Sequence, residues 1–115
     1  ILIDRFIDST IAYQHYGFGV NLKLIKFINK HLLKKITVDF TFLNKVSTKN
    51  MINRLKKRKS LNRYDNFKNN FYKKVQNGFL KLAKKNKKKY LIIDSNKNKA
   101  QNEALIINKI NKLLW

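Results

Sequence analysis

The feature that most limits what this chain can fold into is an alternation. Three short apolar or β-branched runs, over 1–3, 37–43 and 90–94, are separated by longer stretches whose apolar residues recur at helical spacing. Leu22, Ile25, Ile28 and Leu32 predict a helix over about 21–33, with Lys34 and Lys35 suited to its carboxyl end. Ser47 or Thr48 can cap a helix over about 49–57. Phe67, Phe71, Val75, Phe79 and Leu82 mark a long helix over about 66–85 with its stripe toward the sheet. Asn98, with Gln101 three residues on, has a capping-box pattern opening a terminal helix through Ala104, Ile107, Ile110 and Leu113, with Trp115 covering its apolar face. Strands alternating with helices imply an α/β chain with a parallel sheet and helices on both faces. At 115 residues there is room for one modest core.

The opening residues carry the first chemistry. An apolar run over 1–3 reads as the end of a buried strand, and it delivers Asp4 and Arg5 to the sheet's carboxyl edge, where open α/β sheets bind ligands. Arg5 is a fixed, permanently charged fork suited to a phosphate. Ser9, Thr10, Tyr13 and Gln14 would line one side of the helical turns just beyond with hydrogen-bonding groups. Gly17 and Gly19 make 15–19 a turn, and His15, without a second ligand nearby, reads as a turn residue.

Composition excludes several classes. With no Cys there is neither a disulfide framework nor a thiolate metal site. No apolar run approaches the ~18 residues of a membrane span. The first residues lack a basic n-region and a cleavage site, so no signal peptide is expected. The formal charge of +21 invites a nucleic-acid reading. The basic residues are 23 Lys against 4 Arg, alongside 16 Asn and 13 Ile, with no Pro. An AT-rich genome writes that excess onto any surface, so most lysines read as a solvated face. Salt-sensitive, non-specific attraction to polyanions follows all the same.

The arginines are placed more selectively. Arg5 stands at the strand end, and Arg54, Arg58 and Arg63 fall within ten residues of one another. Asp4-Arg5-Phe6 followed by Ser9-Thr10-x-Ala12-Tyr13-Gln14 resembles the Asp-Arg-Tyr/His … Ser-[Ser/Thr]-x-Ala-Tyr-Gln segment of bacterial thymidylate kinases. Val38-Asp-Phe-Thr-Phe-Leu43 is similar to that family's Pro-Asp-Leu-Thr strand, with Val38 in place of Pro and Asn44-Lys45 in place of Leu-Asp. The run from Arg54 through Arg58 to Arg63-Tyr-Asp65 looks like the family's arginine-rich lid, here over about 54–65, with Asn62 and Asp65 for Asp and Glu. Ile93-Asp94-Ser95 resembles its Ile-Asp-Ala-[Ser/Thr] strand end.

The resemblance covers essentially the whole chain and implies a nucleoside-monophosphate-kinase-type sheet. It implies transfer of the γ-phosphate of ATP to dTMP, giving dTDP for dTTP synthesis. By resemblance Arg5 holds the acceptor's phosphate, and Asp4 orients the acceptor or a metal-bound water. Ser9, Thr10 and Gln14 border thymine, and Tyr13 packs on the deoxyribose and crowds out a 2′-hydroxyl. Arg58 and Arg63 belong to the lid and meet the ATP phosphates, while Arg54, Ser95 and Asn96 sit near adenine. Phe6 replaces the usual Tyr or His, so a hydroxyl-dependent role is not expected there. ATP and Mg²⁺ are the implied cofactors, with a homodimer, a cytoplasmic location, and no specific nucleic-acid or membrane partner.

A kinase of this kind cradles phosphates with Gly-x-x-x-x-Gly-Lys-[Ser/Thr]. Gly occurs here only at 17, 19 and 78, so that loop is not in these residues. The chain therefore reads as a partial domain, the carboxyl-terminal portion of such an enzyme, inactive alone. Its first two strands would flank an empty slot, so weak stability is expected. Two other readings stay open: a small basic RNA-binding protein of ribosomal type, and another nucleoside monophosphate kinase of the same fold.

Overall fold

The computed structural model describes residues 1–58, 60 and 69–115. Its elements run in the order α1 (Ile7–Thr10), a π-helical segment (Ile11–Gly17), α2 (Leu22–Leu32), β1 (Thr41–Lys45), α3 (Thr48–Lys56), α4 (Asn69–Lys85), a 3₁₀ turn (Lys87–Lys89), β2 (Tyr90–Asp94) and α5 (Lys99–Leu114). Three helix starts follow from local chemistry. The side chains of Asn21, Ser47 and Asn98 accept from backbone N–H groups one turn in, satisfying donors that a helix start leaves unpaired.

Among the described residues the sheet has two strands, β1 and β2, paired in parallel with Thr41 opposite Tyr90 and Lys45 opposite Asp94. Leu43 lines a cavity with Val75, Phe79 and Leu80 of α4. Phe42 points to the other face, as alternation along a strand requires. Its ring lies 5.2 Å from that of Phe40, over which Lys109 Nζ of α5 sits at 4.8 Å. Helices thus cover both faces, as the alternation implies.

The tightest packing joins the π-helical segment to α4. Gly17 lies where a Cβ would stand 2.7 Å from the Phe71 ring, and Gly78 where one would stand 2.6–2.7 Å from Tyr16. Tyr13 meets the rings of Phe71 and Phe79 at 6.1 and 6.3 Å, and Phe18 meets Phe71 at 4.8 Å. Ile11, Ala12, Val75 and Ala83 of these two elements are buried, as are Ile25 of α2 and Ile93 of β2.

Several expectations need correction. Residues 1–3 form no strand, and Ile1 and Leu2 are almost fully exposed. A strand exists by pairing, and no described backbone lies alongside this run to pair with it. The second strand begins at Thr41 rather than at 37, because β2 offers partners only from Tyr90. Before it, the Val38 carbonyl accepts from Lys89 Nζ at 3.3 Å instead of from a strand. Of the 15–19 turn, only the end is a turn: Gly19 has φ +79°, whereas His15 to Gly17 complete the π-helical segment. Gly17 is there for close approach. Trp115 covers nothing and is 98% exposed.

Candidate active site

The site is built at one end of the sheet, where chain segments distant in sequence meet. Arg5 stands just before α1 with φ +61°, a left-handed backbone that non-glycine residues seldom adopt. That conformation turns the guanidinium back over the first helical turns. Arg5 Nη1 lies 3.5 Å from the Tyr13 hydroxyl, the outer limit of a hydrogen bond, and its guanidinium carbon is 5.7 Å from the ring centroid.

Positions four apart in a helix share a face, so Ser9 with Tyr13 and Thr10 with Gln14 line up along it. Together with Arg5 they enclose a cleft of about 190 Å³. A second cavity, of about 360 Å³, opens between the π-helical segment, α4 and the carboxyl end of β1. Arg5, Arg58, Lys45 and Gln76 supply its polar lining, while Val75 and Phe79 supply apolar wall. Arg5 and Tyr13 belong to both cavities and form the partition between them. Asp4 precedes this partition and is exposed.

A third group gathers where α3 begins and β2 ends. Arg54 Nη2 donates to the Ser95 carbonyl at 2.9 Å, and Asn50 Nδ2 donates to Asn96 Oδ1 at 2.7 Å. Asn96 is in turn held by Asp94 Oδ1, which accepts from its backbone N–H at 3.0 Å and from its side chain at 2.9 Å. Asp94 and Lys45 are register partners, and the Ser95 N–H donates to the Lys45 carbonyl at 2.7 Å. The strand pairing itself therefore sets where this loop leaves the sheet.

One polar contact ties the opening segment to the sheet. The Tyr90 hydroxyl donates to Asp8 Oδ2 at 2.5 Å. Burial, then the hydrogen bond to Asp8 and its negative charge, push the Tyr90 phenol well above its ordinary pKa. The phenol stays protonated and keeps α1 on β2.

The sequence-predicted residues thus fall into two groups. Arg5, Ser9, Thr10, Tyr13, Gln14 and Arg58 line the two adjoining cavities, while Arg54, Ser95 and Asn96 form the neighbouring loop cluster. Within the expected lid, Arg54 lies on α3, Arg58 lines the larger cavity, and Arg63 lies outside the described residues. Sequence reasoning missed Lys45, Gln76 and Asn50. Gln76 Oε1 accepts from the Val46 N–H at 3.3 Å across a 30-residue separation, which no local pattern announces. Asn50 could have been singled out only by knowing that Asn96 faces it.

Comparison with known proteins identifies the family and the fold. The family model described as thymidylate kinase matches residues 1–106. The thymidylate kinase of Wolbachia pipientis wMel is 42% identical over 114 residues, covering 96% of this chain and 55% of that relative. That of Mycoplasma capricolum is 37% identical over 111 residues, covering 93% of this chain and 52% of that relative. The crystal structure of thymidylate kinase from Ehrlichia chaffeensis superposes with a TM-score of 0.65 at 31% identity, over 94% of this chain and 47% of that one. The chain spans about half the length of the curated relatives it matches. A match over residues 1–106, relatives identical at a third or more of the aligned positions and a common fold together place the chain in the thymidylate kinase family.

Proposed function

We propose that the chain serves the ATP-dependent phosphorylation of dTMP to dTDP, contributing the acceptor site and part of the ATP site. The observation that carries this reading is the partition made by Arg5 and Tyr13, with a cleft bordered by Ser9, Thr10 and Gln14 on one side and a larger cavity that Arg5 shares with Arg58 on the other. In phosphoryl transfer the protein does little covalent chemistry, and its work is positioning and charge neutralisation. Arg5 holds the acceptor phosphate as a bidentate donor, and Asp4 beside it orients the acceptor. Ser9, Thr10 and Gln14 take the edge of thymine, and Tyr13 packs on the deoxyribose where a 2′-hydroxyl would collide. Arg58, sharing the larger cavity with Arg5, neutralises charge on the migrating phosphoryl group, joined in this reading by Arg63. Arg54, Ser95 and Asn96 border adenine.

Mg²⁺ belongs to the reading as well. Among the described residues no three His, Cys, Asp or Glu side chains come together, and Asp4 is a single exposed carboxylate. The ion is ordinarily held by one or two carboxylates together with substrate phosphates and water. The roles given above do not depend on it. A homodimer and a cytoplasmic location complete the proposal. Among the described residues no helix is long and apolar enough to cross a membrane.

The test is a chimera in which the 115 residues follow the upstream half of the Wolbachia relative. ADP release should depend on dTMP and be much weaker with dCMP or UMP. Equal turnover with all three would remove the thymidylate assignment, and a well-folded chimera with no turnover would remove the kinase assignment. The 115-residue chain by itself should give no ADP.

A further inference from the structure

The site described above occupies the carboxyl edge of the sheet; the amino edge carries a different kind of surface. Because β1 and β2 run parallel with Thr41 beside Tyr90, the segments entering both strands emerge at that same edge. The segment entering β1 brings Lys34 and Lys35, and the one entering β2 brings Lys84, Lys85, Lys87 and Lys88, all exposed. Lys89 Nζ joins the two segments through its 3.3 Å bond to the Val38 carbonyl. Asp39 is the only acidic residue in either segment. α4 ends here, so the negative end of its dipole supports the concentration of positive charge.

We infer that this amino-edge lysine cluster binds the phosphodiester backbone of nucleic acid without reading its sequence. Lysines are compact, strongly hydrated point charges without the planar fork that fixes the orientation of a single anion. On a polyanion they displace condensed counterions, and the gain grows with each phosphate neutralised. The aromatic residues nearest the cluster, Phe40 and Tyr90, are half-buried, and Tyr90 is committed to Asp8, so no base-stacking platform is offered. Contact with backbone alone means single and double strands bind alike. An anionic membrane is the weaker fit, because the 84–89 run interposes no large apolar side chain and the segment entering β1 exposes only Ile36 and Val38, little to enter a bilayer. The inference is independent of the kinase reading, since it concerns the opposite edge of the sheet.

The experiment is fluorescence anisotropy with a labelled mixed-sequence duplex and a labelled oligothymidylate, titrated between 50 and 300 mM salt with the chimera described above, in which the 115 residues follow the upstream half of the Wolbachia relative. On duplex, log affinity should fall against log salt by about 0.9 per phosphate neutralised. The variant Lys84→Gln, Lys85→Gln, Lys87→Gln, Lys88→Gln should make that slope shallower by about 2–4. A control carrying Lys23→Gln, Lys26→Gln, Lys99→Gln and Lys112→Gln, with the same loss of charge on exposed positions, should keep it within about 1. Equal losses in the two variants would overturn the proposal in favour of diffuse attraction. On the unsubstituted chain, duplex should shield the 84–88 lysines from acetylation more than Lys23 and Lys26. Even shielding would overturn the proposal, as would shielding by phosphatidylserine vesicles but not by duplex.

Discussion

Arg5 concentrates more of the proposed chemistry than any other residue, and its backbone shows it. A left-handed φ at a non-glycine residue costs roughly 1–3 kcal/mol and persists where the surroundings hold it. In the active chimera, Arg5→Ala should lower kcat/KM for dTMP by two or more orders of magnitude, most of it in KM. Arg58→Ala should instead lower kcat by orders of magnitude with KM for dTMP little changed. The steady-state split between the two variants checks the assignment, and unchanged kcat in Arg58→Ala would remove that residue from the transfer step.

Tyr90 gives a second prediction at the same scale. Its phenol is held above the ordinary tyrosine pKa of about 10, so the protonated form is favoured by folding. The contribution is fully present below pH ~10 and is lost as the pH climbs from there toward the folded-state value. An ultraviolet titration should show one tyrosine ionising later than the others, and Tyr90→Phe should abolish that late step. The variant's stability should also fall less steeply above pH ~10. An unchanged titration would show that the bond to Asp8 does not persist in solution. This contact was not legible in the sequence: Tyr90 and Asp8 are 82 residues apart, and each in its own neighbourhood reads as an ordinary strand start and helix start.

Elements whose cause is local were legible. Asn21, Ser47 and Asn98 cap the helices they precede, because the acceptor and the orphan donors are two or three residues apart. The apolar spacing placed α2 and α5 and the carboxyl end of α4 within a residue or so. Elements whose cause is a distant partner were not. The bounds of β1 came from β2, and the run over 1–3, apolar enough for a strand, has no strand to join among the described residues. The contact of α4 with the π-helical segment is of the second kind too, since nothing near Gly78 in sequence announces Tyr16. Gly78→Ala tests that contact. Helix propensity alone would favour Ala by about 1 kcal/mol. The new methyl would meet Tyr16 Cβ at 2.7 Å, an atom fixed to backbone that cannot swing aside. Overpacking of this kind costs about 1–3 kcal/mol, so the variant should be less stable, not more. A raised thermal midpoint would show that the two helices separate easily.

The whole molecule has much helix and little interior. Its Cα radius of gyration is 15.4 Å, against about 13 Å for a compact domain of this length. Phe27, Leu32, Leu114 and Trp115 are among its exposed apolar side chains, and each of the two paired strands leaves one edge open. Edges and faces of that kind invite association. In isolation the 115-residue chain should unfold over a broad temperature range and sediment as concentration-dependent oligomers. A sharp two-state transition from a monomer would contradict this. The fold class could be read from the alternation of patterns, and the resemblance already implied a sheet with an empty slot; that the run over 1–3 would form no strand was not legible, since that depends on a partner the pattern does not count.

The left-handed backbone at Arg5 also predicts how the chain would change under laboratory selection. Glycine, and to a lesser degree asparagine, accept that conformation at little cost, so a library enriched only for soluble expression should drift toward them at position 5. A library of the chimera enriched for growth that depends on its dTMP phosphorylation should hold arginine there against the same pull. Where the two enrichments part, sequencing alone would separate what the position contributes to folding from what it contributes to the reaction.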